Sequence, residues 1–114
     1  MKGTSMEQKR FTLSDIAREL DLPVERLKEW IGIELVVPSK DGKAEFFVEE
    51  DLERFRVIRN LIDDLEVNIE GVEVILRMRD RTIGMEKFLR KVFALLEKNG
   101  LLDDALIEEF KKLG

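Results

Sequence analysis

Apolar residues recur along the chain in short helical stripes separated by turn-forming residues. Leu13, Ile16, Ala17 and Leu20 share one helical face. Thr12-Leu13-Ser14-Asp15 resembles a capping box ahead of them, with Asp in place of the usual Glu or Gln. Asp21-Leu22-Pro23 interrupts the pattern, and Pro23 suits a new first turn. A second stripe follows with Val24, Leu27, Trp30 and Ile31. Two short helices joined by a tight turn form a helix-turn-helix. Leu35-Val36-Val37-Pro38 reads as extended, Asp41-Gly42 is a hairpin signal, and Phe46-Phe47 begins the return. These residues predict a small β-wing.

Beyond the wing, residues 49–65 predict a third helix, with Leu52, Phe55, Ile58, Ile62 and Leu65 on one stripe. Asn68 is suited to cap a following helix through its side-chain oxygen. Gly71, one turn later, suits a close backbone approach, at about 1 kcal/mol of helix propensity. Ile69, Val72, Ile75 and Leu76 mark that fourth helix, and Gly84 predicts a break. Phe88, Val92, Leu95 and Leu96 predict a fifth helix stopped at Asn99-Gly100. Leu102, Leu106, Phe110 and Leu113 predict a short sixth. The expected class is mainly α: a winged helix-turn-helix with a small β-hairpin wing and a C-terminal helical extension. Residues 1–10 form a disordered lead-in, 11–82 the winged domain, and 83–114 a helical tail packed on it or used for dimerisation.

Composition narrows the chemistry. Hydrophobic residues make up 44% of the 114 positions and charged residues 39%, which fits a globular domain with a highly charged surface. Cys and His are both absent. Their absence removes the commonest nucleophiles, the commonest general base and the soft metal ligands. No glycine-rich phosphate loop is present. Asp63/Asp64 and Asp103/Asp104 are paired acids, but adjacent helical side chains diverge by about 100°. Asp103 and Asp104 instead suit a helix start. A non-catalytic protein without a metal or other cofactor is expected. The polar stretch over residues 1–10 lacks the apolar run of a secretory leader, and no apolar stretch is of membrane-spanning length. These features suggest the cytoplasm.

The matching motifs are Thr12-Leu13-Ser14-Asp15-Ile16-Ala17-Arg18-Glu19-Leu20, Leu27-Lys28, Leu35-Val36-Val37-Pro38 and Phe47-Val48-Glu49-Glu50-Asp51-Leu52. Through them the chain resembles the MerR superfamily of winged helix-turn-helix proteins. The segment Asp64-Leu65-Glu66-Val67-Asn68-Ile69-Glu70-Gly71-Val72 is most similar to the chaperone-modulator (CbpM) family within it. MerR-type heat-shock repressors carry a related Val-Asn-Leu-x-Gly-Val. The chaperone-modulator resemblance implies an adaptor that binds and restrains the J-domain of a DnaJ-type co-chaperone. The wider MerR resemblance, heat-shock repressors included, implies a regulator that binds promoter DNA as a dimer. Many MerR regulators dimerise through a long C-terminal helix. The expected breaks at Gly84 and Asn99-Gly100 alter that device, leaving a monomer or a homodimer.

Charge favours the adaptor. DNA binding relies on Lys and Arg contacts to phosphate. Residues 11–71 hold eight Lys or Arg against sixteen Asp or Glu, a net charge of −8 in a chain whose total is −5. Where the family carries Leu-Arg-Tyr-Tyr, this sequence has Leu27-Lys28-Glu29-Trp30. Glu45-Phe46-Phe47 replaces the Arg-x-Tyr of the wing, and Glu34 replaces a glycine before it. Trp30 reads as a core anchor. For the adaptor, the candidate partner contacts are Asp63, Asp64, Leu65, Glu66, Val67 and Glu70. For the regulator, the candidate DNA contacts are Arg26, Lys28, Lys40, Lys43 and Arg54. Arg56 and Arg59 would, with Arg54, extend the basic edge of those contacts, or else lie on a solvated helix face, which is also the plainer reading of Arg77, Arg79 and Arg81 further along.

Overall fold

In the computed structural model, residues 9–112 are described. They form α1 (Leu13–Leu20), α2 (Val24–Gly32), β1 (Ser39–Asp41), β2 (Ala44–Phe46), α3 (Glu49–Arg59), a π-helical turn (Asn60–Asp64), α4 (Ile69–Lys98) and α5 (Asp104–Lys111). Contacts divide the chain into two compact units, Met1–Val74 and Ile75–Gly114, with the division inside α4.

The first unit is a winged helix-turn-helix. The capping box at its start is complete: Thr12 Oγ1 accepts from the Asp15 N–H, and the Asp15 carboxylate accepts from the Thr12 N–H. Strands β1 and β2 pair antiparallel, with Ser39 opposite Phe46 and Asp41 opposite Ala44. That register leaves Gly42-Lys43 as a two-residue loop, and Gly42 supplies its positive φ of 66°. Phe11 adds an isolated bridge to Phe47, so the arm preceding α1 joins the wing. Phe55 and Ile58 of α3 are fully buried, as are Ile16 and Leu27 of the helix-turn-helix. Trp30, 3% exposed, lies beside Phe55, which also meets Phe47 edge-on at 5.6 Å. Trp30 is therefore a core anchor, as expected.

Four expectations need correction. The disordered lead-in falls largely on residues 1–8, outside the described residues, but Lys9 and Arg10 are placed. Arg10 lies over the Phe46 ring at 3.9 Å and pairs with Asp41 at 3.0 Å. Leu35-Val36-Val37-Pro38 forms no strand, because Leu35 and Val36 turn inward as buried core residues and pairing begins at Ser39. The third helix does not run regularly to Leu65. It widens at Asn60, where the Leu65 N–H reaches back to the Asn60 carbonyl, five residues earlier. The wider turn moves the chain off the expected stripe, so Leu61 is buried and Leu65 is 68% exposed.

The fourth correction concerns Gly84. It lies inside α4, which runs unbroken for 30 residues. The expected fourth and fifth helices are one. A single glycine costs about 1 kcal/mol, which long helical flanks on both sides outweigh once the helix is nucleated.

In the second unit, α4 ends where Leu101 N–H bonds the Leu96 carbonyl and Gly100 takes φ 67°. Asp103 then caps α5 by accepting from the Leu106 N–H at 2.8 Å. Phe93 and Phe110 pack with ring centroids 4.1 Å apart. Leu113 lies outside the described residues. Met78, Met85, Phe88 and Leu95 of α4 are each about 60% exposed. Their spacing is that of heptad a and d positions.

Candidate regulatory interface

Apart from Arg54 on α3, the candidate interface residues lie on three features: α2, the wing, and the corner formed by the π-turn and the start of α4. Asn68 starts α4 by accepting from the Gly71 N–H at 2.8 Å. A Cβ at Gly71 would meet Val67 Cγ1 at 2.7 Å and Asn68 Oδ1 at 3.1 Å. The close approach expected at Gly71 is thus to side chains of its own corner, not to another backbone. Asp64, Glu66 and Glu70 are exposed there with Leu65, and Val67 is half-buried. Glu66 takes a left-handed φ of 54° as the chain leaves the π-turn.

The structure joins one residue from each candidate set. Arg26 of α2 donates both terminal nitrogens to Asp63, at 2.9 and 2.8 Å. The hydrogen bond from Arg26 holds the Asp63 carboxyl below its ordinary pKa, and the same bond raises that of Arg26. The Arg26 guanidinium also lies 5.0 Å from the centre of the Trp30 ring. Neither partner of this pair is a freely presented charge.

Arg54 is half-buried, and its Nε donates to the Leu35 carbonyl at 2.6 Å. It ties α3 to the connection entering the wing. Lys28, Lys40 and Lys43 remain exposed. Lys40 sits directly opposite Glu45 in the wing register, and Lys28 precedes Glu29 on α2. Arg59, expected on the basic edge or on a solvated face, donates to the Leu20 carbonyl at 3.1 Å and to Asn60 Oδ1. It satisfies the end of α1 and steadies the π-turn. Its separation of 39 residues from Leu20 leaves no local sequence signal.

Among the described residues, no group of three or more Asp or Glu side chains is placed to hold a metal ion. No helix among them is long and apolar enough to cross a membrane.

Helix-turn-helix, hairpin wing and buried third helix together define a winged helix-turn-helix regulatory module. The sequence profile described as MerR HTH family regulatory protein matches residues 11–92, most of the chain. The chain belongs to that family. No curated protein and no solved structure matches it.

Proposed function

We propose that this protein is a non-catalytic adaptor of the chaperone-modulator kind, which binds and restrains the J-domain of a DnaJ-type co-chaperone. The observation that carries this reading is the fate of the candidate phosphate contacts. Of the five cations, Arg26 and Arg54 are engaged within the fold. The three lysines left stand in a region of net charge −8. A surface of this sign suits a basic partner, whose approach it would steer electrostatically. Asp64, Glu66 and Glu70 offer carboxylates around the exposed Leu65, a combination suited to an amphipathic basic helix.

Unbroken α4 favours a second reading. A long C-terminal helix is the dimerisation device of many MerR regulators, and the exposed Met78, Met85, Phe88 and Leu95 supply a seam for a second copy. The protein would then be a dimeric regulator that binds promoter DNA. Dimerisation through α4 is compatible with both readings, so ligand binding decides between them. Parallel titrations against the host J-domain and the protein's own upstream DNA are the test. J-domain binding that persists at physiological salt while DNA binding vanishes is the expected result. A defined DNA footprint without J-domain binding would overturn the adaptor reading.

A further inference from the structure

We infer that Asp63 is a specificity-determining residue that withholds Arg26 from nucleic-acid phosphates. Arg26 is the third residue of α2, the second helix of the helix-turn-helix, whose N-terminal residues face DNA in modules that bind it. A guanidinium recognises phosphate through the same two-pronged edge that it presents to a carboxylate. Here both terminal nitrogens are already engaged by Asp63, at 2.9 and 2.8 Å. The pair remains in contact with solvent, the side chains being 31% and 35% exposed, so releasing it would present the charge rather than leave it buried.

The carboxylate is held where it can do this. Asp63 lies within the π-turn closed by the Leu65 N–H to the Asn60 carbonyl. Arg59 bonds the Asn60 side chain and the Leu20 carbonyl, linking that turn to the end of α1. The widened turn thus places an acid from the far end of α3 against the first turn of α2. This deepens the adaptor reading above: the acid does not merely lower the net charge, it occupies a specific phosphate-binding group.

The test measures binding of a short mixed-sequence DNA duplex by the full chain over a range of salt. Asp63→Asn should tighten binding about fivefold at low salt and steepen the slope of log K against log salt by about 0.9, one phosphate contact. Asp63→Ser is a second release variant with the same expected gain. Arg26→Gln added to Asp63→Asn should abolish it, and circular dichroism checks that each variant is folded. Unchanged affinity and slope in both folded release variants would overturn the inference, as would a gain that survives loss of Arg26. Tight DNA binding by the unaltered chain would instead count against the adaptor reading, so the two fail separately.

Discussion

Arg26 and Asp63, 37 residues apart, are joined by a two-pronged ion pair between α2 and the π-turn that follows α3. Both side chains retain about a third of their exposure, which screens the attraction. Asp63→Ala should therefore destabilise the fold by about 1 kcal/mol, the upper end for exposed pairs, measured by urea denaturation. The sign of the pH dependence follows from the lowered carboxyl pKa. The stabilisation is complete above the ordinary value of 3.8 and is lost as the pH falls through the lower folded value. The difference in Tm between wild type and Asp63→Asn should accordingly shrink below about pH 4.

Glycine substitutions at helix ends should stabilise the protein. Asp21, Glu34 and Glu66 have φ of 54°, 65° and 54°, in the left-handed region that glycine enters most easily. At Glu34 the Leu35 N–H bonds the Trp30 carbonyl and the Glu34 N–H bonds the Ile31 carbonyl, the paired closure of a Schellman turn. Glu34 stands where the family carries glycine. Glu34→Gly should raise stability by about 1 kcal/mol and increase Tm by several degrees.

The two α4 glycines should respond oppositely to alanine. A methyl group at Gly84 would meet open space, with nothing within 4 Å, and the helix around it is continuous. Gly84→Ala should stabilise the protein by about 0.5–1 kcal/mol. Gly71→Ala must push aside the stiff Val67 side chain and crowd the Asn68 cap. A net loss of about 1 kcal/mol is expected despite the gain in helix propensity. Thermal melts of the two variants, run side by side, provide the check.

The exposed α4 seam should support a homodimer. Phe88→Asp places a charge at a heptad core position and should dissociate that dimer with little change in helical content. Light scattering after size exclusion reads the mass directly. A wild-type mass equal to that of one chain across micromolar concentrations would rule out a seam of useful strength.

Much of the architecture is legible in the sequence because its signals are local. Thr12 and Asp15 lie three residues apart and meet in a capping box. Asp41-Gly42 marks the wing, although the register shifts the loop to Gly42-Lys43. Asn68 and Asp103 cap the helices that follow them. Gly84 misleads for a physical reason: its propensity penalty is real, but helix cooperativity spreads that cost over a long segment. Leu65 departs from its stripe because the π-turn changes the helical phase.

The candidate site is less legible. Its residues can be named, but charge type does not specify a partner. Arg26 and Asp63 suit opposite roles by sequence, and the fold pairs them with each other. Arg54 suits a DNA contact by its charge, yet its guanidinium reaches a backbone carbonyl. The sequence by itself determined the capped starts of α1, α4 and α5, the wing, most of the apolar stripes and the acidic balance of residues 11–71, all set by composition or by neighbours within a turn or two. Only the tertiary structure decided which charges are consumed and which remain presented. Those contacts join residues up to 39 positions apart, and the packing of α1, α2 and α3 selects each pair from many possible partners.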